Sequence, residues 1–417
     1  MNGWRVRRGS QETRSHKLDV MFFAPVGTHR FTGPKVAQNT HLRLRSCLSI
    51  SWDEDKTGPM TIKLMFNLPK PKNDYLVALS TPHGIMQHTM YNLPDPEHGY
   101  ATDDNARALI VAHLWKNKDV KHEEVLRSLE AGYLRMLKFA QAADGAFYCY
   151  ISFDLQKKEL GIGDWYGRSL FALAYLGYSS KKFEKVSWDI LMKSIPLTFH
   201  NKFYIRTCAF LIMSYYYLLK KNDQSHVLKK RELDHIMKTL KNWRGQLYKK
   251  YTSENSKNWI WPEDKITYDN GKVIQAYLFL GFLLKDDEMT QIGRDMLNFY
   301  IEVTMKKGYF QGPGNRGFWE KDKKRPLYDE QAIEAYSFIA ALISATDFLH
   351  DTSYLKVAET VYMWFWGKNR LGLSLIDKEG GAVFDGLRRD SINTNQGAES
   401  YLALNLAYFA LTDRIHL

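Results

Sequence analysis

The chain has 417 residues, 45% of them hydrophobic, with 58 Lys+Arg against 46 Asp+Glu and a formal charge of +12. That length supports one large core or two ordinary ones without staples. Three scattered cysteines, Cys47, Cys149 and Cys208, show no CxxC spacing, which argues against a disulfide framework or cysteine-based zinc chemistry. No run of about eighteen uncharged apolar residues occurs and no apolar signal core opens the sequence, so a soluble, cytoplasmic chain without membrane association is expected.

In chain order, residues 1–72 come first, with 13 Lys+Arg against 5 Asp+Glu, leaving 45 against 41 for residues 73–417. The basicity is concentrated in this Arg-rich opening segment, which reads as a flexible extension. Elsewhere no basic stripe appears, so nucleic acid is not an expected partner.

From residue 73 helical periodicity dominates. NDYLVALS at 73–80 supplies a short first helix. Six later segments are apolar nearly all round and must be buried on most sides: 104–115, 167–178, 205–219, 271–284, 331–349 and 398–411. Between them lie amphipathic, charge-rich segments near 122–141, 182–195, 228–247, 287–305 and 353–368. The buried segments recur roughly every sixty residues, an internal repeat of helical hairpins. The predicted fold is all-α: an (α/α)6 barrel over residues 73–417, with an inner ring of buried helices and an outer ring of amphipathic ones. GAFYCYISF and GGAVFDGL suit short β-hairpins on its rim. GYFQGPGNRGFW at 308–319 reads as a turn-rich loop, since no strand leads into it and no helix follows.

Polar residues collect where the inner helices begin. These are Asp103 and Asp104, then Asp164, Trp165 and Arg168, then Tyr268 and Asp269, then Asp329, Glu330 and Gln331, then Asn395, Gln396 and Glu399. Capping accounts for some of them, because an Asp or Asn at a helix start is worth roughly 0.3–1 kcal/mol. A cap needs a single oxygen, however, and Asp103-Asp104, Asp329-Glu330 and Glu263-Asp264 each bring two carboxylates. Glu399 lies inside an otherwise apolar helix, where a charge is costly without a partner or a task. Trp165, Trp259, Trp261 and Trp319 fall in predicted loops and are candidate platforms for a sugar ring. His88, with His83 and His98, lacks the spacing of a helical zinc pair and reads as a hydrogen-bonding or substrate contact. No metal or cofactor is expected.

STPHGIMQHTMYNLPDPEHGYATDDNARALI, GIGDWYGRSL, WPEDKITYDNGKVIQAY, YDEQAIEA and FDGLRRDSINTNQGAESYLAL together resemble the six-hairpin glycosidase superfamily. More closely, they resemble a prokaryotic group of (α/α)6 proteins that are glycosyltransferase-associated or found beside β-mannoside phosphorylases. The resemblance covers about residues 73–415 and implies a carbohydrate-active site, with mannosides favoured. Acidic residues near the first hairpins and in the last one recur in such glycosidases, and Asp103, Asp104 and Glu399 fit that arrangement.

The expected activity is an inverting glycoside hydrolase acting on oligosaccharides. Glu399 is the expected general acid and Asp104 the base, roles that are interchangeable at this level, and Asp103 caps or orients. Asp164, Asp269, Asp329 and Glu330 stand as substitutes, while Arg107, Arg168, Gln331 and Asn395 would hold sugar hydroxyls or carboxylates. Two other classes compete. A sugar 2-epimerase would need proton-shuttling groups such as His83 and His88. A non-catalytic carbohydrate-binding domain would partner a glycosyltransferase or phosphorylase.

Overall fold

The computed structural model describes residues 67–305 and 307–417. Nearly all of the expected basic extension lies outside the described residues. Its last residues pack on the helices that follow: the Pro69 and Lys72 carbonyls accept from the hydroxyls of Tyr362 (2.7 Å) and Tyr401 (2.9 Å).

The helices alternate as predicted. The inner set is α2 (Thr102–Lys116), α4 (Asp164–Ser179), α6 (Ile205–Ser225), α8 (Asn270–Leu284), α10 (Ala332–Phe348) and α12 (Ala398–Asp413). The outer set is α1 (Asp74–Ala78), α3 (Glu123–Ala140), α5 (Glu184–Thr198), α7 (Lys230–Glu254), α9 (Asp287–Thr304) and α11 (Ser353–Tyr362). Each inner helix packs on the next, and α12 returns to α2, so the ring closes. This is the (α/α)6 barrel.

Burial explains why such apolar sequences form the inner ring: every residue of α10 from Ala332 to Thr346 is shielded from solvent. A helix surrounded on all sides has no polar face to keep. Small residues set how closely neighbours approach. A β-carbon at Gly271 would lie 1.9 Å from the Ser337 carbonyl oxygen, so α8 and α10 touch backbone to backbone.

Helix ends depart from the periodicity where bonding changes. The pattern at 353–368 continues beyond α11, but Trp364, Phe365 and Trp366 bond to carbonyls three residues back, and the chain then turns at Gly367 with φ +99°. The tightened turns carry the indole of Trp364 inward to Glu330. Among the described residues, no helix is long and apolar enough to cross a membrane.

The inner-helix starts share one end of the barrel with short rim strands. β4 (Phe147–Ile151) pairs with β3 (Tyr100–Ala101) and β5 (Lys157–Gly161), while β9 (Gly386–Leu387) pairs with β8 (Glu330–Gln331) and β10 (Ile392–Asn393). The other end is closed by aromatic packing. There the His416 ring lies among Tyr216, Phe279 and Phe348, with centroids 4.8–5.8 Å away.

Candidate active site

A cavity of about 450 Å³ opens where the inner helices start. Its lining includes Asp103, Asp104, Glu399, Asp329, Glu330, Gln331 and His88 from the predicted set, together with Asp385, Tyr150, Arg316 and Arg388.

Beneath the lining carboxylates Asp103, Asp104 and Glu399 runs a chain of alternating charges contributed by different inner helices, in which Arg107, Arg168, Asp269 and Glu334 lie outside the cavity lining. On α2, Arg107 Nη1 donates to Asp104 Oδ1 at 2.7 Å and lies 3.3 Å from Asp103 Oδ2. Its Nη2 reaches Glu399 Oε2 on α12 at 3.4 Å. From α4, Arg168 spans Asp103 (3.2 Å) and Asp269 (2.8 Å), the residue that precedes α8. Glu334 on α10 continues the chain by accepting from the Asp269 backbone N–H, from Asn270 Nδ2 (2.7 Å) and from the Tyr300 hydroxyl (3.0 Å). Side chains distant in sequence meet because all these helices begin at the same end.

The two successive aspartates are driven apart in acidity. Burial would raise Asp103, but the Arg107 and Arg168 guanidiniums outweigh it and hold that carboxyl below its ordinary value. Asp104 goes well above its ordinary value, first through burial and then through the negative charge of Asp103, with Arg107 offsetting only part. Glu399 is also raised, by burial first. Its side chain is nevertheless 42% exposed to the open cavity, against 5% for Asp104, so water relieves much of the burial at Glu399. Burial raises Glu399 as expected, but Asp104, the expected base, is raised as well. Asp104 is the enclosed carboxyl, because α2 and Arg107 cover it.

Other acids are held in ways that separate lining from support. Glu330 accepts from Trp364 Nε1 (3.1 Å) and Arg370 Nε (3.4 Å), and burial raises it to about 7. Asp329, in the left-handed region at φ +63°, pairs with Arg316 at 3.0 Å. Asp164 lies outside the cavity lining, accepting from the hydroxyls of Thr207 (2.6 Å) and Tyr268 (2.5 Å). Asn395 is also outside it; its side-chain oxygen accepts from the Tyr91 N–H at 3.4 Å.

The tryptophan expectations need correction. Trp261 is 0% exposed and stacks on Tyr300 at 6.1 Å, and Trp259 is 2% exposed, so neither presents a face to a ligand. Trp165 is half-buried, its indole N–H donating to the Phe147 carbonyl at 2.8 Å, and it too lies outside the cavity lining. A loop position in sequence does not reveal burial, and these rings are packing.

Residues that the sequence did not single out complete the site. Asp385, in the GGAVFDGL hairpin, accepts from the Gly397 N–H at 2.8 Å, and burial raises its carboxyl. Glu334 sits one turn into an apolar helix, the same signal that selected Glu399. Lys272 on α8 is buried, donates to Gln275 Oε1 (2.9 Å) and Tyr336 (3.3 Å), and is lowered to about 7 chiefly by burial.

The chain matches no protein-family model and no curated protein. Among solved structures it is similar to cellobiose 2-epimerase from Spirochaeta thermophila, with TM-score 0.58 and 13% identity over 82% of this chain and 93% of that one. It is also similar to a family 76 glycoside hydrolase from a bovine Bacteroides thetaiotaomicron strain, with TM-score 0.55 and 13% identity over 82% and 76% of the two chains. A third similar structure is an α-1,6-mannanase of Salegentibacter sp. in complex with α-1,6-mannotetrose, with TM-score 0.55 and 10% identity over 82% and 96%. That protein is an inactive variant in which two successive aspartates are replaced by alanine. Identities this low carry the fold, and the fold agrees with the barrel built above.

Proposed function

We propose that this protein is a glycoside hydrolase acting on oligosaccharides by inversion, with Asp104 as general acid and Glu399 as general base. The observation that carries the reading is the single Arg107 guanidinium bonding both carboxylates at the floor of the cavity. That link keeps their nearest oxygens within the upper bound of about 9.5 Å for paired glycosidase carboxyls. Asp104, enclosed and raised, holds a proton for the leaving oxygen. Glu399, open to the cavity, takes a proton from the water that attacks the anomeric carbon from the opposite face. Asp103, held ionised by two arginines, maintains the negative charge that keeps its neighbour protonated.

The named activities of similar structures support a sugar substrate. The mannanases among them, together with the motif resemblance, favour mannose-containing oligosaccharides. The test is incubation with a panel of defined oligosaccharides, following released sugars by NMR. A new reducing end appearing first in the inverted anomeric form is the expected result. Retention would remove the assigned roles, and no release from any substrate would remove the hydrolase.

One observation favours a second reading, a sugar 2-epimerase. His88 lines the cavity beside His98, with ring centroids 4.7 Å apart, and burial lowers His88 so that a neutral imidazole faces the site. The carboxylate floor outweighs it, since a carbon-bound proton calls for bases on opposing walls. An epimerase would convert its substrate without releasing a new reducing end, so the same NMR experiment separates the two.

A further inference from the structure

The floor of the cavity and its lip carry opposite chemistry. Below, the acids are largely neutralised by arginines or by their own protons. Above, two exposed guanidiniums face the opening: Arg316, from the loop before β7 (Trp319–Glu320), and Arg388, from the turn between β9 and β10. Arg316 is 86% exposed, and its contact with Asp329 is an exposed pair of the kind that holds a guanidinium only weakly. Arg388 donates to an amide oxygen, Asn393 Oδ1, at 3.3 Å, and among the described residues no carboxylate lies within ion-pair distance of it.

The turn bearing Arg388 is held from beneath. Arg370 donates to the Arg388 and Arg389 carbonyls, both at 2.6 Å, while its Nε is anchored on buried Glu330. Close strand packing fixes the other side: a β-carbon at Gly386, whose φ is +151°, would lie 2.2 Å from the Glu330 carbonyl oxygen. A half-buried arginine that supports the backbone under an unneutralised one is a fixed mount for positive charge at the mouth.

We propose that Arg316 and Arg388 form a subsite for an oxyanion carried by the sugar, so that the cavity takes oligosaccharides bearing a phosphate or a carboxylate in preference to neutral ones. The inference rests on the carbohydrate reading above and narrows its substrate class. A planar guanidinium pairs with either oxyanion through two parallel N–H donors, so the shared chemistry is the charged group.

The test titrates the intact chain with mannose, mannose 6-phosphate, glucose, glucuronate and inorganic phosphate by calorimetry, at low and high salt. At low salt, at least one charged sugar should bind about tenfold or more tighter than its neutral parent, the range of charge-assisted hydrogen bonds. Which of the two does so identifies phosphate or carboxylate. High salt should shrink the gap, and the Arg316→Gln/Arg388→Gln double variant, altered only at exposed positions, should abolish it while still binding neutral sugar. Equal binding of charged and neutral sugars overturns the subsite and leaves the carbohydrate reading standing. A preference that survives the double variant, or inorganic phosphate binding as tightly as the phosphosugar, also overturns it. Failure of every sugar to bind removes the carbohydrate reading and this inference together.

Discussion

Helix α2 carries a buried ionic cluster at each end, and the two are built on opposite terms. At its C-terminal end, Glu130 of α3, fully enclosed, accepts from His113 Nδ1 (2.6 Å) and Lys116 Nζ (2.7 Å). Burial alone would raise that carboxyl, yet the two partners outweigh it and hold it below its ordinary value. Both oxygens are satisfied and both partners sit in the last turn, where a helix favours cations. At the N-terminal end, Asp103, Asp104 and Glu399 share Arg107, and one carboxyl is pushed well up while its neighbour is held down. A cluster whose charges are all paired stabilises the fold, whereas one whose charges compete for a partner keeps a proton ready for transfer.

The largest effect that separates them is on turnover. Asp104→Asn and Glu399→Gln should each lower the rate on a cleaved oligosaccharide by about 10²–10⁴-fold, the contribution of a positioned acid or base. Their thermal midpoints should stay at or above that of the parent. The sign follows from linkage: a carboxyl raised on folding stabilises fully below the unfolded value of about 3.9 and loses that contribution as pH climbs through the folded value. At neutral pH Asp104 is therefore a burden that asparagine relieves. A variant that loses activity only by unfolding would erase the contrast.

Glu130→Gln tests the other end. Removing the charge leaves the half-buried Lys116 ammonium without its counter-ion, and breaking a buried pair costs up to about 3–5 kcal/mol. Urea unfolding should show this loss at neutral pH. In the parent, the contribution of Glu130 is present above the unfolded value of about 4.3 and disappears as pH falls through its lowered folded value. The difference between parent and variant should therefore narrow on acidification. A constant difference down to low pH would mean that packing, rather than charge, accounts for the cost.

The sequence showed the barrel because helices buried on every side have a composition that few other environments allow, and their alternation with amphipathic ones defines both rings. It showed the mouth of the barrel as well, since the polar residues that open the inner helices are local to them, although none of these helices is capped by a side chain as expected. It did not show which mouth residues face a ligand. Asp385, Arg316 and Arg388 stand on rim segments whose positions depend on strand pairing between distant parts of the chain, such as β8 with β9. Trp261 illustrates the converse: its flanking sequence marks a loop, yet three-dimensional packing against Tyr300 makes it core. Glu130 carried a readable signal, a carboxylate on the buried stripe of an amphipathic helix, but its partners lie on the preceding inner helix.

The smallest expected effect probes how far the competition at the N-terminal cluster extends. Asp269 does not line the main cavity, yet it is the counter-ion of Arg168 at 2.8 Å, and its negative charge helps to raise Glu399 after burial and Asp103 have acted. Asp269→Asn keeps a side chain that tolerates the left-handed backbone at φ +51° and removes only the charge. Glu399 then loses a repelling neighbour while Arg168 loses its neutralising one, and both changes favour the ionised Glu399. The acid limb of the rate profile, set by the base, should therefore move to lower pH by under about one unit, since the interaction is indirect. A merely structural Asp269 would lower the rate equally at every pH and leave the limb in place. Movement of the limb would show that the charge chain from α8 to α12 sets the acidity of the floor as one unit, a coupling that the self-contained Glu130 cluster has no partner to provide.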